Sequence, residues 1–311
     1  MNRPRVLRLP GISRTVSDIG RAIAFYRDAL DFSVIGKTTH DGDAWSALMG
    51  IASLSSQAVT MHLGGERIEL LTFDPPGCGY PPTDDAADCR FQHIAIVVSD
   101  IDKAYAKLSG YASGPISQAG PQSLPPSSGS ATAYKFRDPD GHPVELIQFP
   151  PGTENAAWQK KPGLFLGIDH SALDVADITQ SIDFYTRLLG LRVSSRSVNS
   201  GPAQERLDRL RDVHVEVVAL RPAIESSPHV ELLNYQRTGT YPPQIAVQPN
   251  DIAADRLVMQ VDGLASLIEM LEDENVQFIS PGCVTFPDGK RKAQIRDPTG
   301  HLLILKERDN S

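Results

Sequence analysis

Short apolar runs open four stretches of the 311-residue chain, beginning near residues 8, 91, 167 and 254. Ile94-Ala-Ile-Val-Val98 is the most legible, with the length and branching of a buried strand. An Asp or Gly turn follows each run, then a segment with apolar residues at helical spacing. In the first stretch Ile23, Phe25-Tyr26 and Leu30 recur on one side, with Arg21, Arg27 and Asp28 on the other, which predicts an amphipathic helix. Further strands follow, punctuated by Gly, Pro and Ser. The clearest occupy residues 68–73, 144–149, 230–235 and 302–306.

The plan repeats. Val16-Ser-Asp18-Ile19 and Phe25-Tyr26 recur as Val175-Ala-Asp177-Ile178 and Phe184-Tyr185, at an offset of 159 residues. The same offset relates Asp138-Pro-Asp-Gly-His142 to Asp297-Pro-Thr-Gly-His301. A weaker half-repeat places Val98-Ser-Asp100-Ile101 82 residues after Val16, and Val261-Asp-Gly263-Leu264 takes that part in the second half. The expected fold class is therefore α+β: four βαβββ units whose mixed sheets curl around clefts. Two tandem domains are expected at 1–150 and 164–311, each of two units, with a Pro- and Gly-bearing linker at 151–163.

Phe-Tyr-x-x-x-Leu after an Asp turn, Asp-Pro-x-Gly-His, and a last strand bearing Glu together resemble the vicinal oxygen chelate superfamily of glyoxalases, bleomycin-resistance proteins and extradiol dioxygenases. The resemblance covers nearly the whole chain. It implies two tandem glyoxalase-like domains, and metal ligands at two places per unit. One is on the first strand, seven residues before the turn, and the other is a Glu on the last strand. Those places hold Gly11 and Glu69, His93 and Glu145, His170 and Glu231, and Arg256 (or Asp255, one residue earlier) and Ile304 in the four units. Pairing neighbouring units would leave each site short of ligands. Pairing two with three and one with four gives one complete set, His93, Glu145, His170 and Glu231, and one degenerate cleft with Glu69 and Arg256. The crossed arrangement resembles single-chain, four-unit glyoxalase I enzymes.

Two imidazoles and two carboxylates suit one divalent ion such as Ni, Co, Mn, Fe or Zn. The resemblance implies a metal-dependent lyase or isomerase that moves a proton beside a chelated carbonyl of a small-molecule substrate, such as a thiol adduct or acyl thioester. In that reading Glu145 is the ligand that loosens to serve as the base, and Glu231 stays on the metal or shares the proton transfer. An extradiol-type ring-cleaving dioxygenase and a metal-free small-molecule binding or resistance protein are the alternatives. The positions that anchor glutathione in glyoxalase I differ here: Asp174 stands where Arg is expected, Asn234 lies one place before the expected Asn (Tyr235), and Arg90 is also displaced by one.

Other histidines read as structural. His142 and His301 follow the Asp-Pro-x-Gly turns and are expected to brace them, His62 and His214 lie in alternating strand segments, and His40 and His229 fall in expected loops. Glu69 reads as structural, and the Phe25-Tyr26 and Phe184-Tyr185 pairs as core packing.

Composition narrows the partners. A net charge of −8 with no concentrated basic face argues against nucleic acid. No segment has the apolar length of a membrane span, and the N-terminal residues lack a signal-peptide pattern. Three widely spaced cysteines, Cys78, Cys89 and Cys283, read as reduced thiols of a cytoplasmic monomer or homodimer.

Overall fold

A computed structural model describes residues 3–81, 85–90, 92–111, 114–152, 156–224, 228–236 and 246–308. The first unit contributes β1 (Arg5–Thr15), α1 (Ile19–Leu30), β2 (Ser33–His40), α2 (Gly42–Met49), β3 (Ser55–Leu63) and β4 (Glu66–Asp74). The second contributes β5 (Gln92–Val98), α3 (Ile101–Leu108), the short β6 (Gly114–Pro115) and β7 (Gln122–Ser123), β8 (Thr132–Arg137) and β9 (Pro143–Gln148). A short helix, α4 (Ala156–Gln159), lies between the halves. The third unit has β10 (Phe165–Asp174), α5 (Ile178–Asp183, continued by a π-turn), β11 (Arg192–Ser200), α6 (Pro202–Asp208), β12 (His214–Arg221) and β13 (His229–Tyr235). The fourth has β14 (Asp255–Asp262), α7 (Leu264–Asp273), β15 (Val284–Thr285), β16 (Arg291–Arg296) and β17 (Leu302–Glu307).

The helices begin where the turn residues dictate. The carboxylates of Asp18, Asp100 and Asp177 accept hydrogen bonds from the backbone N–H three residues on, capping α1, α3 and α5. Gly263 takes that place before α7 in a left-handed conformation and caps with no side chain.

Strand pairing crosses the halves of the chain. One sheet runs β15-β16-β17-β14-β1-β4-β3-β2, joining units four and one; the other runs β11-β12-β13-β10-β5-β9-β8-β6, joining units three and two. At each centre two first strands pair antiparallel, β1 with β14 and β5 with β10. The helical sides of both sheets share one apolar core that includes Phe25, Tyr26, Phe184 and Tyr185, leaving a cleft on the other side of each sheet.

The Asp-Pro-x-Gly-His turns fasten this arrangement. Asp138 accepts N–H bonds from Asp140 and His142 and the Tyr26 hydroxyl at 2.9 Å, and the His142 Nε2 donates to the Thr15 carbonyl at 2.8 Å. Asp297, Tyr185 and His301 repeat the pattern, with His301 donating to the Asp174 carbonyl at 2.8 Å. The histidines thus brace more than their own turns: each reaches the first strand of the other sheet. The tyrosines pack in the core as expected and also satisfy the turn carboxylates.

Two loop expectations are corrected. His40 ends β2 and His229 opens β13, both in strands, because pairing with β3 and β10 extends the ladders past the apolar residues that mark them. All three cysteines are unbridged. Among the described residues no helix is long and apolar enough to cross a membrane.

Candidate metal centre

The register of β5 against β10 sets His93 opposite Ala172 and His170 opposite Ala95, so the imidazoles sit diagonally on one face with ring centroids 5.8 Å apart. Parallel pairing brings Glu145 beside Ala95 and Glu231 beside Ala172. His93, Glu145 and His170 therefore meet although they come from opposite halves of the chain, and Glu231 borders them through His170. Donor atoms of His93, Glu145 and His170 lie within 4.8 Å of one another. His93 Nε2 is 2.9 Å from Glu145, and His170 Nε2 lies 3.7 Å from Glu145 and 3.5 Å from Glu231. Those last two separations exceed hydrogen-bond length, and buried His170 Nε2 has no hydrogen-bond partner. A polar atom left so between two carboxylates is what a cation-binding donor set requires.

The field at the site is mixed. Burial opposes charge on His170, yet Glu231, Asp169 and Glu145 push its pKa well above the usual histidine range. His93 moves the other way, lowered by burial and by nearby Lys135. Burial works against an ionised Glu145, but His170, His93 and Lys135 hold it well below the ordinary carboxylate range. Glu231 is likewise held down, by His170 and His229 against its burial.

Several contributors escaped sequence reading. Buried His229 places Nε2 3.5 Å from Glu231. Asp169 is 3.0 Å from His170 Nδ1, and His170 and His229 hold its pKa at about 2 despite burial. Fully buried Lys135 binds Asp208 of α6 at 2.7 Å, and Asp208 also accepts the Tyr235 hydroxyl at 3.0 Å and the Gln204 amide at 2.6 Å. For Lys135 the available signal was its place opposite Glu145 on a neighbouring strand. The cavity above these groups measures about 370 Å³ and is walled by Leu124, Ile147, Phe149, Leu207, Val217 and Leu233.

The second cleft carries the other predicted positions. Glu69 lies 3.8 Å from His40; burial opposes its charge, but His40 and Lys292 hold it below the carboxylate range. Fully buried Arg256 donates to the Pro249 carbonyl at 2.6 Å and Thr15 Oγ1 at 2.9 Å, and its guanidinium lies 5.5 Å from the Phe73 ring centroid. Helix α2 fills the space, with Trp45, Leu48 and Met49 packed against Ile304 and Phe73.

The profile of the Glyoxalase/Bleomycin resistance protein/Dioxygenase superfamily matches the chain twice, over residues 8–146 and 167–305. Glyoxalase I from Zea mays superposes with a TM-score of 0.62 at 16% identity, over 98% of this chain and 92% of that one. A Bacillus subtilis structure named provisionally as a dioxygenase superposes with a TM-score of 0.59 at 12% identity, over 99% and 87%. At these identities the likeness is one of fold. The uncharacterised protein YwbC of Bacillus subtilis (strain 168) is 25% identical over 141 residues, 45% of this chain and 97% of that protein.

Proposed function

The chain belongs to the Glyoxalase/Bleomycin resistance protein/Dioxygenase superfamily, and from that premise we propose that it is a metal-dependent lyase or isomerase. His93, Glu145, His170 and Glu231 would hold one divalent ion. The observation that carries this reading is His170 Nε2, a buried atom without a hydrogen bond that lies between Glu145 and Glu231, with His93 at hydrogen-bond distance from Glu145. Two imidazoles and two carboxylates match Zn, Ni, Co, Mn or Fe in charge and donor type. When bound, such an ion supplies a Lewis acid that polarises a substrate carbonyl.

The protein's own groups supply the rest. Glu145 is kept ionised by two imidazoles and Lys135, so its carboxylate is ready to take a proton from carbon next to the carbonyl. The protonated Glu145 can then deliver that proton to the adjoining carbon, and Glu231, with a side chain 22% exposed against 8% for Glu145, faces the cavity where it can stay on the ion or share the transfer. The substrate is a small carbonyl compound, such as a thiol adduct or acyl thioester.

Glutathione anchoring of the glyoxalase I kind is disfavoured. Asp174 is fully buried, Asn234 donates to the Val175 carbonyl at 2.7 Å, and Arg90 is paired with Asp88.

A second reading has its own observation. His93, Glu145 and His170 form one close donor group and Asp169, His170 and His229 another, and two histidines with one carboxylate is the ligand set of non-haem iron oxygenases. Oxygen uptake against carbonyl isomerisation across a substrate panel separates the two chemistries. Metal analysis of wild type, His93→Ala and His170→Ala tests the shared premise: one ion per chain is expected, lost in both variants. An ion retained by either variant would overturn the shared site.

A further inference from the structure

We infer that Asp169, held by Trp158 of the stretch joining the two halves, is a positioning residue that fixes the ring and tautomer of His170 for metal binding. This rests on the metal reading of the site.

In a regular strand residues 169 and 170 would point to opposite faces of the sheet. Here Ile168 pairs with Ile96 and His170 with the next residue, Ala95, so Asp169 is the extra residue of a β-bulge. A bulge re-aims side chains, and both Asp169 and His170 line the cavity. One Asp169 oxygen accepts the His170 Nδ1–H at 3.0 Å. That bond puts the proton on Nδ1 and leaves Nε2, on the far side of the ring, facing Glu145 and Glu231.

The other Asp169 oxygen accepts the indole N–H of Trp158 at 3.3 Å. Trp158 is 6% exposed and packs with Ala95, Ala131, Ile147 and Leu166, and the Lys161 ammonium lies 3.8 Å from its ring centroid. Gly167, at φ +149°, has no Cβ, and one placed there would meet the Glu66 carboxylate first and the indole at 2.8 Å. The joining stretch therefore reaches a residue that touches a ligand. At the corresponding bulge of β1 the two residues are Pro10 and Gly11, so the support is absent where the ligand is absent.

The test is Co²⁺ affinity of the full chain, read by competition with a chromophoric chelator, together with the visible spectrum of the bound ion. Asp169→Asn and Asp169→Ala are expected to bind about 10–100-fold more weakly with altered bands. Trp158→Phe keeps the packing but loses the N–H, and is expected to weaken binding by a smaller factor. A purely structural role would lower the thermal midpoint of the metal-free protein and leave affinity and spectrum unchanged. If Asp169→Ala does not fold, the isosteric Asn and the Phe variant carry the test. Wild-type Co²⁺ binding by Asp169→Asn, with none by His170→Ala, overturns the inference and spares the metal reading. Wild-type binding by His170→Ala overturns both.

Discussion

Four positions face each cleft, on strands paired in the same order. One sheet sets His93, Glu145, His170 and Glu231 there; the other sets Arg256, Ile304, Gly11 and Glu69. The helices that approach the clefts differ in the same sense. At the offset of 159 residues, Gln204 and Asp208 of α6 correspond to Trp45 and Met49 of α2. On the first side the helix brings a carboxylate to Lys135; on the second it brings apolar bulk that fills the cleft. The backbone plan alone therefore confers no chemistry. A few side chains decide whether a cleft is a site or a second core.

The comparison is broken most directly at one last-strand carboxylate of each cleft, Glu145 and Glu69. Glu145→Gln keeps shape and removes the proposed base, so turnover on whichever substrate the panel identifies is expected to fall about 10²–10⁴-fold. Glu69→Gln in the other cleft is expected to leave turnover unchanged. A matching loss from Glu69→Gln would mean that the second cleft takes part in the reaction.

The charged support behind the silent cleft predicts a stability effect with a sign. Fully buried Arg14 donates through Nε to Asp255 at 2.8 Å and through Nη1 to the Tyr26 hydroxyl at 2.6 Å. Burial alone would raise the Asp255 pKa, but Arg14 and His142 hold it below the ordinary value. A carboxylate depressed in the folded state stabilises fully above its unfolded pKa, and that contribution is lost as pH falls through the folded one. Asp255→Asn is expected to cost about 3–5 kcal/mol at pH 7, because it strands a buried guanidinium. It should also flatten the decline of stability below about pH 4 in urea titrations. An unchanged acid slope would assign that decline to other groups. The ion content should be that of wild type.

Trp45 sharpens the contrast from the apolar side. It is 3% exposed and stacks between His40 and Phe73 with centroids at 4.4 and 6.3 Å. Trp45→Ala is expected to cost about 3–5 kcal/mol in denaturant unfolding and to leave bound metal at one ion per chain. A gain of a second ion would show that the plug, rather than the missing ligands, silences the cleft.

These pairs also mark what could be read from the chain. The fold was legible because the 159-residue offset repeats turn, helix and strand motifs together, and the four candidate donor positions came from laying the family resemblance onto equivalent places of the units. Asp169 was hidden by its bulge, since strand alternation assigns it to the face opposite His170. Trp158 lies in a stretch whose Pro and Gly content reads as a connector. Lys135 and Asp208 are 73 residues apart on different units, so no local pattern announces their ion pair. His229 stands just outside an apolar run and enters its strand only through pairing with β10.

Gly11 carries the smallest expected effect and the most direct test of why the silent cleft cannot simply regain a ligand. It occupies the place of His170, on the cleft face of β1. A Cβ built there would lie 2.9 Å from the Arg67 carbonyl oxygen and 3.5 Å from the Arg67 Cβ. The close atom is backbone of β4, paired along its length with β3 and over residues 68–71 with β1, so it cannot swing aside as a side-chain tip would. Gly11→Ala is therefore expected to destabilise by about 1–3 kcal/mol through overpacking, with the Co²⁺ stoichiometry of wild type. Gly11→His would meet the same carbonyl before its imidazole reached the cleft. An unaltered unfolding midpoint for Gly11→Ala would mean that β4 yields, and a histidine at this position would then be sterically open.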